Sequence, residues 1–217
     1  MEFPKQLTQS EKQKLQTTIS FVKESLSQAE SGHDWWHILR VWNNAMHLCE
    51  KRECNVFLVG LGVLLHDIAD PKFYDGDTEV GPERTKAFLQ ELDISDSIIK
   101  QVVDIVRFSS FSASKAGLPQ PKFIEFQIVQ DADRLDALGA IGIARTFNYG
   151  GYKNNPMYLP ELLDSEENTS TIQHFHDKLF HLKKLMNTPE AKAIAEERHK
   201  YMKEFTSRFM LEWEGKA

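Results

Sequence analysis

Apolar residues recur every three or four positions along most of the chain, which is the period of an amphipathic helix. One such stripe follows Thr8 and Glu11, which have the spacing of a capping box; its members are Leu15, Ile19, Val22 and Leu26. A second stripe follows Asp34, a helix-capping residue type; its members are Ile38, Val41, Trp42, Ala45 and Leu48. No segment alternates convincingly at a period of two, so the pattern predicts an all-α protein.

The remaining helices are predicted from the same period together with start and stop residues. They cover about residues 56–65 after Asn55, a short stretch to 92 opened by Pro82, a helix that starts at Ser95 or Asp96, 122–148 as one long helix, 171–186 and 188–213. The core face of the helix after Ser95 is predicted to be Ile98, Ile99, Val102, Val103 and Val106. The string YGGYKNNP is predicted to end the long helix, with a loop over 149–169. No repeat or linker interrupts the chain, which predicts one domain over 1–217.

Composition narrows the class of protein. The 217 residues suit one domain with a real core, and the net charge of −6 disfavours binding to nucleic-acid polymers. Cys49 and Cys54 are too few for a disulfide scaffold and fit a reducing cytosol. The amino terminus lacks signal-peptide features, and no apolar run is long enough for a membrane span. We therefore expect a soluble cytoplasmic protein; its oligomeric state stays open, with a homodimer as one option.

The apolar run over 56–65 ends in adjacent His66 and Asp67. At the carboxyl end of a helix the macrodipole favours a protonated histidine and opposes a carboxylate. A divalent cation would compensate the carboxylate and accept the imidazole. The alternative is a turn in which His66 caps helix carbonyls and Asp67 begins the next segment.

The string GHDWWHILRV places His37 in the first turn of a helix and on its inward side. A histidine on an apolar face is usually a core residue bonded to a carbonyl. Taken alone, His37 would be assigned that role.

Three aspartates lie inside the otherwise apolar string IVQDADRLDALGAIG: Asp131, Asp133 and Asp136. Asp131 can pair with Arg134 three residues later. Asp133 has no cation among its helical neighbours and is the carboxylate most in need of an external partner.

These strings, with HFHDKL near the carboxyl terminus, resemble the HD-domain metal-dependent phosphohydrolases, and more closely the small bacterial HD hydrolases of the YedJ and YpgQ type. The H…HD…D signature of that family corresponds to His37, His66, Asp67 and Asp133. The resemblance covers about residues 33–213 and implies an HD fold with a metal-binding core at about 30–148 and completing helices at about 170–214. It also implies one divalent metal, manganese foremost, with magnesium, nickel, iron or cobalt as alternatives. Asp131 remains a rival to Asp133 as the fourth ligand.

The resemblance also implies catalytic residues. Asp70 matches the position where related nucleotidases carry an acidic residue, so we assign it to orienting or deprotonating water; the alternative is a surface carboxylate. His33 is predicted at the mouth of the site as proton donor or phosphate contact, whereas Asp34 is more simply a helix cap. Asp75 is a weaker second candidate, since FYDGD is also good turn chemistry.

A polyphosphate substrate needs cations, and several residues are candidates. They are Lys72, Arg40, Arg134, Arg145, and the pair His174 and Lys178. Lys72 and Arg145 lie within the family-like strings and are the favoured candidates. For Arg40 and Arg134 the alternative role is to neutralise nearby aspartates. Arg198, His199 and Lys200 are predicted on a solvated helix face.

Three functions are compatible with these residues. The first is a phosphohydrolase acting on a nucleotide, foremost a nucleoside or deoxynucleoside triphosphate pyrophosphohydrolase, as some relatives are; many others have no assigned substrate. The second is a nucleotide sensor with little turnover. The third is a two-metal phosphodiesterase or an oxygenase of the same superfamily, but those need extra histidines before the final aspartate, and residues 68–130 contain none. The one-metal hydrolase is therefore preferred.

Overall fold

The computed structural model describes residues 1–27, 34–69, 74, 76–109, 119–162 and 167–217. Every regular element in these ranges is helical, which confirms the predicted all-α class. The main helices are α1 Gln9–Ser25, α2 Trp35–Cys49, α3 Val56–Leu65, α4 Val80–Glu91, α5 Asp96–Phe108, α6 Ile124–Asp136, α7 Gly139–Tyr152 and α8 Pro189–Trp213. A short 3-10 turn lies at Pro160–Leu162, and an irregular helical run over 171–185 contains a π-helix at Phe175–Leu179.

Three helices begin at the predicted capping residues. Thr8 and Glu11 form both bonds of a capping box at the start of α1. The Asp34 carboxylate accepts from the His37 backbone N–H at 2.9 Å, and the Asn55 side chain accepts from the Leu58 N–H at 3.1 Å. Such caps satisfy backbone donors that have no partner within the helix. The starts of α1, α2 and α3 are thus encoded locally.

Helix α3 is buried along its whole length. A Cβ added at Gly60 would lie 3.1 Å from both Leu15 of α1 and Trp42 of α2, and one added at Gly62 would lie 2.8 Å from Ile105 of α5. The two glycines therefore let three helices approach α3 closely. Because α3 ends at Leu65, it delivers the next residue, His66, to a fixed position.

The core face of α5 differs from the predicted one. Its buried residues are Ile99, Val102 and Ile105, and Ile105 is the residue that packs against Gly62 of α3. The predicted face omitted Ile105 and contained three residues that are only half-buried: Ile98, Val103 and Val106. The apolar stripe of α5 is wide, and contact with α3 decides which part of it is covered.

The long helix predicted over 122–148 is wrong, because the structure breaks it into α6 and α7 at Ala137 and Leu138. The N–H groups of both residues bond to carbonyls only three positions earlier, at 3.2 and 3.1 Å, which tightens the last turn of α6. Gly139 then has a φ of 74°, a conformation that favours glycine.

The predicted stop at YGGYKNNP also falls too early, since α7 continues to Tyr152. A Cβ on Gly150 would lie 2.3 Å from the Thr171 hydroxyl. Gly150 therefore serves close packing against the 171–185 run and does not break the helix, and the loop predicted over 149–169 begins later.

The chain forms two compact units, Met1–Ala132 and Asp133–Ala217, and α6 runs continuously across their boundary. In the first unit α3 packs against α1, α2 and α5, and α4 packs against α5. In the second unit α8 packs against α7, and aromatic side chains fill the space around Phe147 at centroid distances of about 6 Å: Phe175, Phe205 and Phe209. The assignment of 1–217 to one domain stays a prediction. None of the described helices has the length and apolarity to cross a bilayer.

Candidate metal centre

His37 occupies the first turn of α2, where the Asp34 cap fixes its backbone. Its side chain is buried, with 2% of its surface exposed. The inward direction predicted from the apolar stripe of α2 is therefore correct. Two turns further along the same helix, the Asn44 amide donates to the carbonyl of Ala132 on α6 at 3.1 Å. This bond ties α2 to α6 directly before Asp133.

His66 directly follows the last residue of α3 and is the C-cap of that helix. Its ring Nδ1 lies 2.9 Å from the carbonyl oxygen of Val63, which can only accept a hydrogen bond, so Nδ1 carries the hydrogen. The lone pair of the neutral ring is then on Nε2. His66 thus caps a helix carbonyl, as the alternative interpretation held, and the same bond aims Nε2 as second-shell partners aim metal-binding histidines.

The rings of His37 and His66 face each other through their Nε2 nitrogens. The Nε2 atoms of His37 and His66 lie 3.3 Å apart, with ring centroids 5.4 Å apart. Around an ion with metal–nitrogen distances of about 2.1 Å, adjacent nitrogens would lie about 3.0 Å apart in octahedral and about 3.4 Å in tetrahedral geometry. The separation of 3.3 Å between the two nitrogens fits two neighbouring ligands on one ion.

Asp133 of α6 completes the group. One ligand atom from each of His37, His66 and Asp133 lies within 4.8 Å of the others. Among the described residues the group does not include Asp131, which is fully buried. Residues two positions apart on a helix point about 200° apart, so Asp131 and Asp133 cannot both face it. The structure therefore favours Asp133 over Asp131.

The donor set fits a divalent transition metal. Two imidazole nitrogens and one carboxylate oxygen suit manganese, iron, cobalt, nickel or zinc, and leave positions for other ligands. Asp67 lies half-buried in the turn directly after His66 and is not part of the three-residue group. The structure thus brings together three of the four predicted ligands. The role of Asp67 as the fourth stays a prediction.

None of the predicted catalytic residues is among the residues that the structure describes. His33, Asp70 and Lys72 lie outside the described residues, as does the weaker candidate Asp75. Their assignments stay predictions.

Arg145 pairs with a buried carboxylate in the second unit. Its Nη1 lies 2.6 Å from a carboxylate oxygen of Asp136, whose side chain is 2% exposed against 27% for Arg145. Asp136 follows Asp133 by three residues on α6, so the Arg145 guanidinium is anchored one helical turn from a predicted ligand. The sequence placed Arg145 among the phosphate-binding candidates but did not indicate this pair.

Arg198 is a second cation in the same unit, and its predicted place on a solvated face is wrong. Its Nη1 donates to the carbonyl of Leu135 at 2.6 Å. Burial lowers the pKa of Arg198, while the Asp136 carboxylate acts in the opposite direction. The sequence signal for this arginine was Asp136. It lies in an apolar helix and has no cation three or four residues away, so it needs a partner from a distant part of the chain.

The two remaining candidate arginines, Arg40 and Arg134, lie on α2 and α6. Arg40 is half-buried one turn after His37 on α2. Arg134 is 8% exposed and donates to the carbonyl of Leu185. A buried arginine bonded to a backbone carbonyl supports the packing of its unit.

His174 and Lys178 lie four residues apart, with Lys178 in the π-helix. Desolvation lowers the pKa of His174, Lys178 lowers it further, and Asp177 partly opposes them. At neutral pH the pair therefore carries one positive charge, on Lys178, and His174 is a neutral hydrogen-bonding group. Single π-turns of this kind are frequent at functional sites.

Comparison with known proteins agrees with this architecture. Residues 35–138 match the family model described as the HD domain, a range that contains all three grouped ligands. The Bacillus subtilis protein YpgQ is 36% identical over 186 residues, covering 86% of this chain and 87% of YpgQ.

Solved structures give the same result. An HD-superfamily hydrolase from Bacillus thuringiensis superimposes with a TM-score of 0.77 and 42% identity, covering 94% of this chain and 98% of the other. The structure of Bacillus subtilis YpgQ in complex with ADP superimposes with a TM-score of 0.75 and 32% identity, covering 92% and 95%. The helical fold, the grouped histidines and aspartate, and these similarities together show that the chain belongs to the HD-domain family and has the fold of the HD-superfamily hydrolases.

Proposed function

We propose that this protein is a metal-dependent phosphohydrolase that cleaves a nucleoside or deoxynucleoside triphosphate to the monophosphate and pyrophosphate. The observation that carries the proposal is the convergence of His37, His66 and Asp133 on one point within an HD fold. A nucleotide substrate is supported by the ADP bound in the solved structure of YpgQ.

His37, His66 and Asp133 would hold one divalent ion, foremost manganese, with Asp67 as the fourth ligand. Such an ion supplies Lewis-acid activation of water and polarisation of a phosphoryl oxygen. The Val63 carbonyl keeps the His66 ring in the tautomer that leaves Nε2 unprotonated. The protein thereby prepares a ligand without needing to remove a proton from Nε2.

Other residues of the chain act on the substrate and the water. In this proposal Asp70 orients or deprotonates the attacking water, His33 donates a proton or contacts phosphate, and Lys72 balances charge on the departing pyrophosphate. If these cations held the outer two phosphates, attack would fall on the innermost phosphorus and pyrophosphate would leave as one unit.

Arg40, Arg145, His174 and Lys178 are the proposed further phosphate contacts. Arg40 lies one turn from His37 on α2, and Arg145 is anchored to Asp136, one turn from Asp133 on α6. Arg40 therefore belongs to the helix that carries His37, and Arg145 contacts the helix that carries Asp133. Lys178 adds a charge, and His174 adds a neutral hydrogen-bonding group.

The test is a screen of the manganese-loaded full chain against a panel of phosphate compounds, with orthophosphate and pyrophosphate measured separately. A deoxynucleoside triphosphate should yield monophosphate and pyrophosphate. Diphosphate and orthophosphate would contradict the proposed arrangement of the cations. Tight nucleotide binding without turnover would instead indicate a sensor.

Two variants separate the proposed roles. Asp70→Asn should lower kcat while the metal stays bound, because it removes a base and not a ligand. Lys72→Ala should lower kcat as well as affinity, because charge builds on the leaving group in the transition state. A Lys72→Ala enzyme with unchanged kcat would contradict that role.

A further inference from the structure

The two cysteines lie side by side at a junction of the first unit. Cys49 is the last residue of α2, and Cys54 precedes Asn55, the residue that caps α3. Cys49 is buried and Cys54 is half-buried, and both are free thiols that hydrogen-bond to each other. The link between these two helices is therefore short enough to pair the thiols.

Hydrogen bonds hold both sides of this link. The Arg52 N–H donates to the Cys49 carbonyl at 3.4 Å, which turns the chain back after α2. The Asn55 N–H donates to the Glu125 carboxylate at 2.8 Å, and the Asn55 side chain caps α3. These bonds restrain Cys54 beside Cys49, where the two thiols are in hydrogen-bonding contact.

The pair is chemically asymmetric. The Cys49 thiol donates a hydrogen bond to the Cys54 sulfur, which lowers the pKa of Cys54 and raises that of Cys49. Burial and the Glu125 carboxylate act to raise both pKa values, but for Cys54 the hydrogen bond outweighs them. Cys54 is therefore the better source of thiolate, and Cys49 remains protonated.

Cys54 also has access to solvent. A surface pocket of about 380 Å³ is lined by both cysteines, and its polar wall includes Gln6, Glu11 and Arg52. A small hydroperoxide is far smaller than this volume. The pocket therefore permits a polar oxidant to reach Cys54 without unfolding of the junction.

We propose that Cys54 and Cys49 form a reversible oxidative modification site for small hydroperoxides, in which Cys54 reacts first and Cys49 resolves the product to a disulfide. Reactive and resolving cysteines are placed in this way, one accessible and one adjacent. The site lies at the opposite ends of α2 and α3 from His37 and His66. It is therefore separate from the proposed metal centre.

The reaction balances in two steps. The Cys54 thiolate attacks a peroxide oxygen, the O–O bond breaks, and the departing alkoxide or hydroxide takes a proton from solvent, leaving a sulfenic acid on Cys54. Cys49 then attacks the Cys54 sulfur, the S–O bond breaks, and the Cys49 proton leaves with hydroxide as water. The two thiols supply the two electrons that reduce the hydroperoxide. When Cys54 is oxidised, its thiolate charge disappears. That charge is one of the factors that raise the pKa of Cys49, so its loss favours the second step. A dithiol reductant reverses the modification.

The experiment treats the full chain with limiting hydrogen peroxide and follows its intact mass, in the presence of dimedone, which traps sulfenic acids. The wild-type chain should lose two hydrogen atoms per chain through an internal disulfide and recover them with dithiothreitol. Cys49→Ser should instead accumulate a dimedone adduct on Cys54, since no resolving thiol remains. Cys54→Ser should form neither product under the same conditions.

Measurements on the unmodified chain keep the proposal testable if a variant misfolds. Iodoacetamide labelling followed by peptide mapping should modify Cys54 more than about tenfold faster than Cys49. Glu125→Gln, which retains an acceptor for the Asn55 N–H, should increase the labelling rate of Cys54 because it removes a negative charge. Faster labelling of Cys49, a disulfide between chains, or two intact thiols in the wild type after peroxide would each overturn the proposal.

Discussion

At the scale of single residues, His66 both caps a helix carbonyl and turns its other ring nitrogen toward the candidate metal centre. One ring nitrogen satisfies the Val63 carbonyl at the end of α3, and the other faces His37. A carbonyl that accepts from Nδ1 determines the tautomer as well as the direction of the ring. A helix end is thus a suitable place for a ligand, because its carbonyls lack partners within the helix.

The first prediction concerns the aspartates of α6. Asp133→Asn should weaken manganese binding by more than about 100-fold, since loss of even a second-shell partner costs 10–100-fold. Asp131→Asn is the matched control, because it makes the same chemical change two residues away and outside the group. Calorimetric titration measures both affinities, and circular dichroism checks that helical content is retained. The reverse order would transfer the ligand role to Asp131.

Asp67 can be tested in the same titration. Asp67→Ala should abolish manganese binding, as should His66→Ala, if both belong to the ligand set. Full metal occupancy in the Asp67→Ala protein would remove Asp67 from that set and leave the three grouped residues.

A separate prediction concerns the buried charge of Asp136. Arg145→Gln should lower the free energy of unfolding by about 2–3 kcal/mol, somewhat less than the 3–5 kcal/mol for a fully buried pair, because Arg145 is partly exposed. Combining it with Asp136→Asn should cost less than the sum of the two single changes, because the second change removes the uncompensated charge. Urea unfolding of the four proteins measures the coupling. Additive losses would show that Arg145 does not neutralise Asp136.

At the scale of helices, the break between α6 and α7 depends on one backbone conformation. Gly139→Ala should destabilise the protein by about 1–2 kcal/mol, because alanine disfavours a φ of 74° and its Cβ would lie 3.0 Å from Arg198. Gly151→Ala in α7 is the control. Apart from its chain neighbours and the backbone of its own helix, nothing lies within 4 Å of its added Cβ, so the change should be neutral or stabilising by up to about 1 kcal/mol. Thermal unfolding distinguishes the two, and equal effects would contradict the role of Gly139.

Helix starts and helix stops differ in how far the sequence predicts them. The caps at Thr8, Asp34 and Asn55 are correct because a cap is a bond within three residues. The single helix predicted over 122–148 is wrong because glycines permit both a bend and close packing. Gly139 bends the chain, whereas Gly150 lies inside a helix against Thr171. Only the neighbouring element distinguishes these two uses.

At the scale of the whole molecule, the prediction concerns the metal content. Elemental analysis should find about one divalent ion per chain, the number that one set of H…HD…D ligands holds. Manganese at about 100 times its dissociation constant should stabilise the fold by about 2.7 kcal/mol, and a chelator should reverse the gain. A second tightly held ion would favour the two-metal classes of the superfamily over the proposed hydrolase.

The sequence by itself determined the all-α class and the starts of α1, α2 and α3. Each of these depends on hydrogen bonds or apolar periods that span a few neighbouring residues. The motif also named His37, His66 and Asp133, although they come from three separate segments: α2, the residue after α3, and α6.

The tertiary structure decided which side chains meet. It favoured Asp133 over Asp131, gave Asp136 the distant partner Arg145, and placed Cys49 beside Cys54. Residues on one helix differ in direction by about 100° per position, so a shift of one or two residues turns a ligand away from its site. That direction is set by the packing of helices that are remote in sequence, such as α3 between α1, α2 and α5. Convergence of ligands is therefore a property of the packed core and not of any one segment.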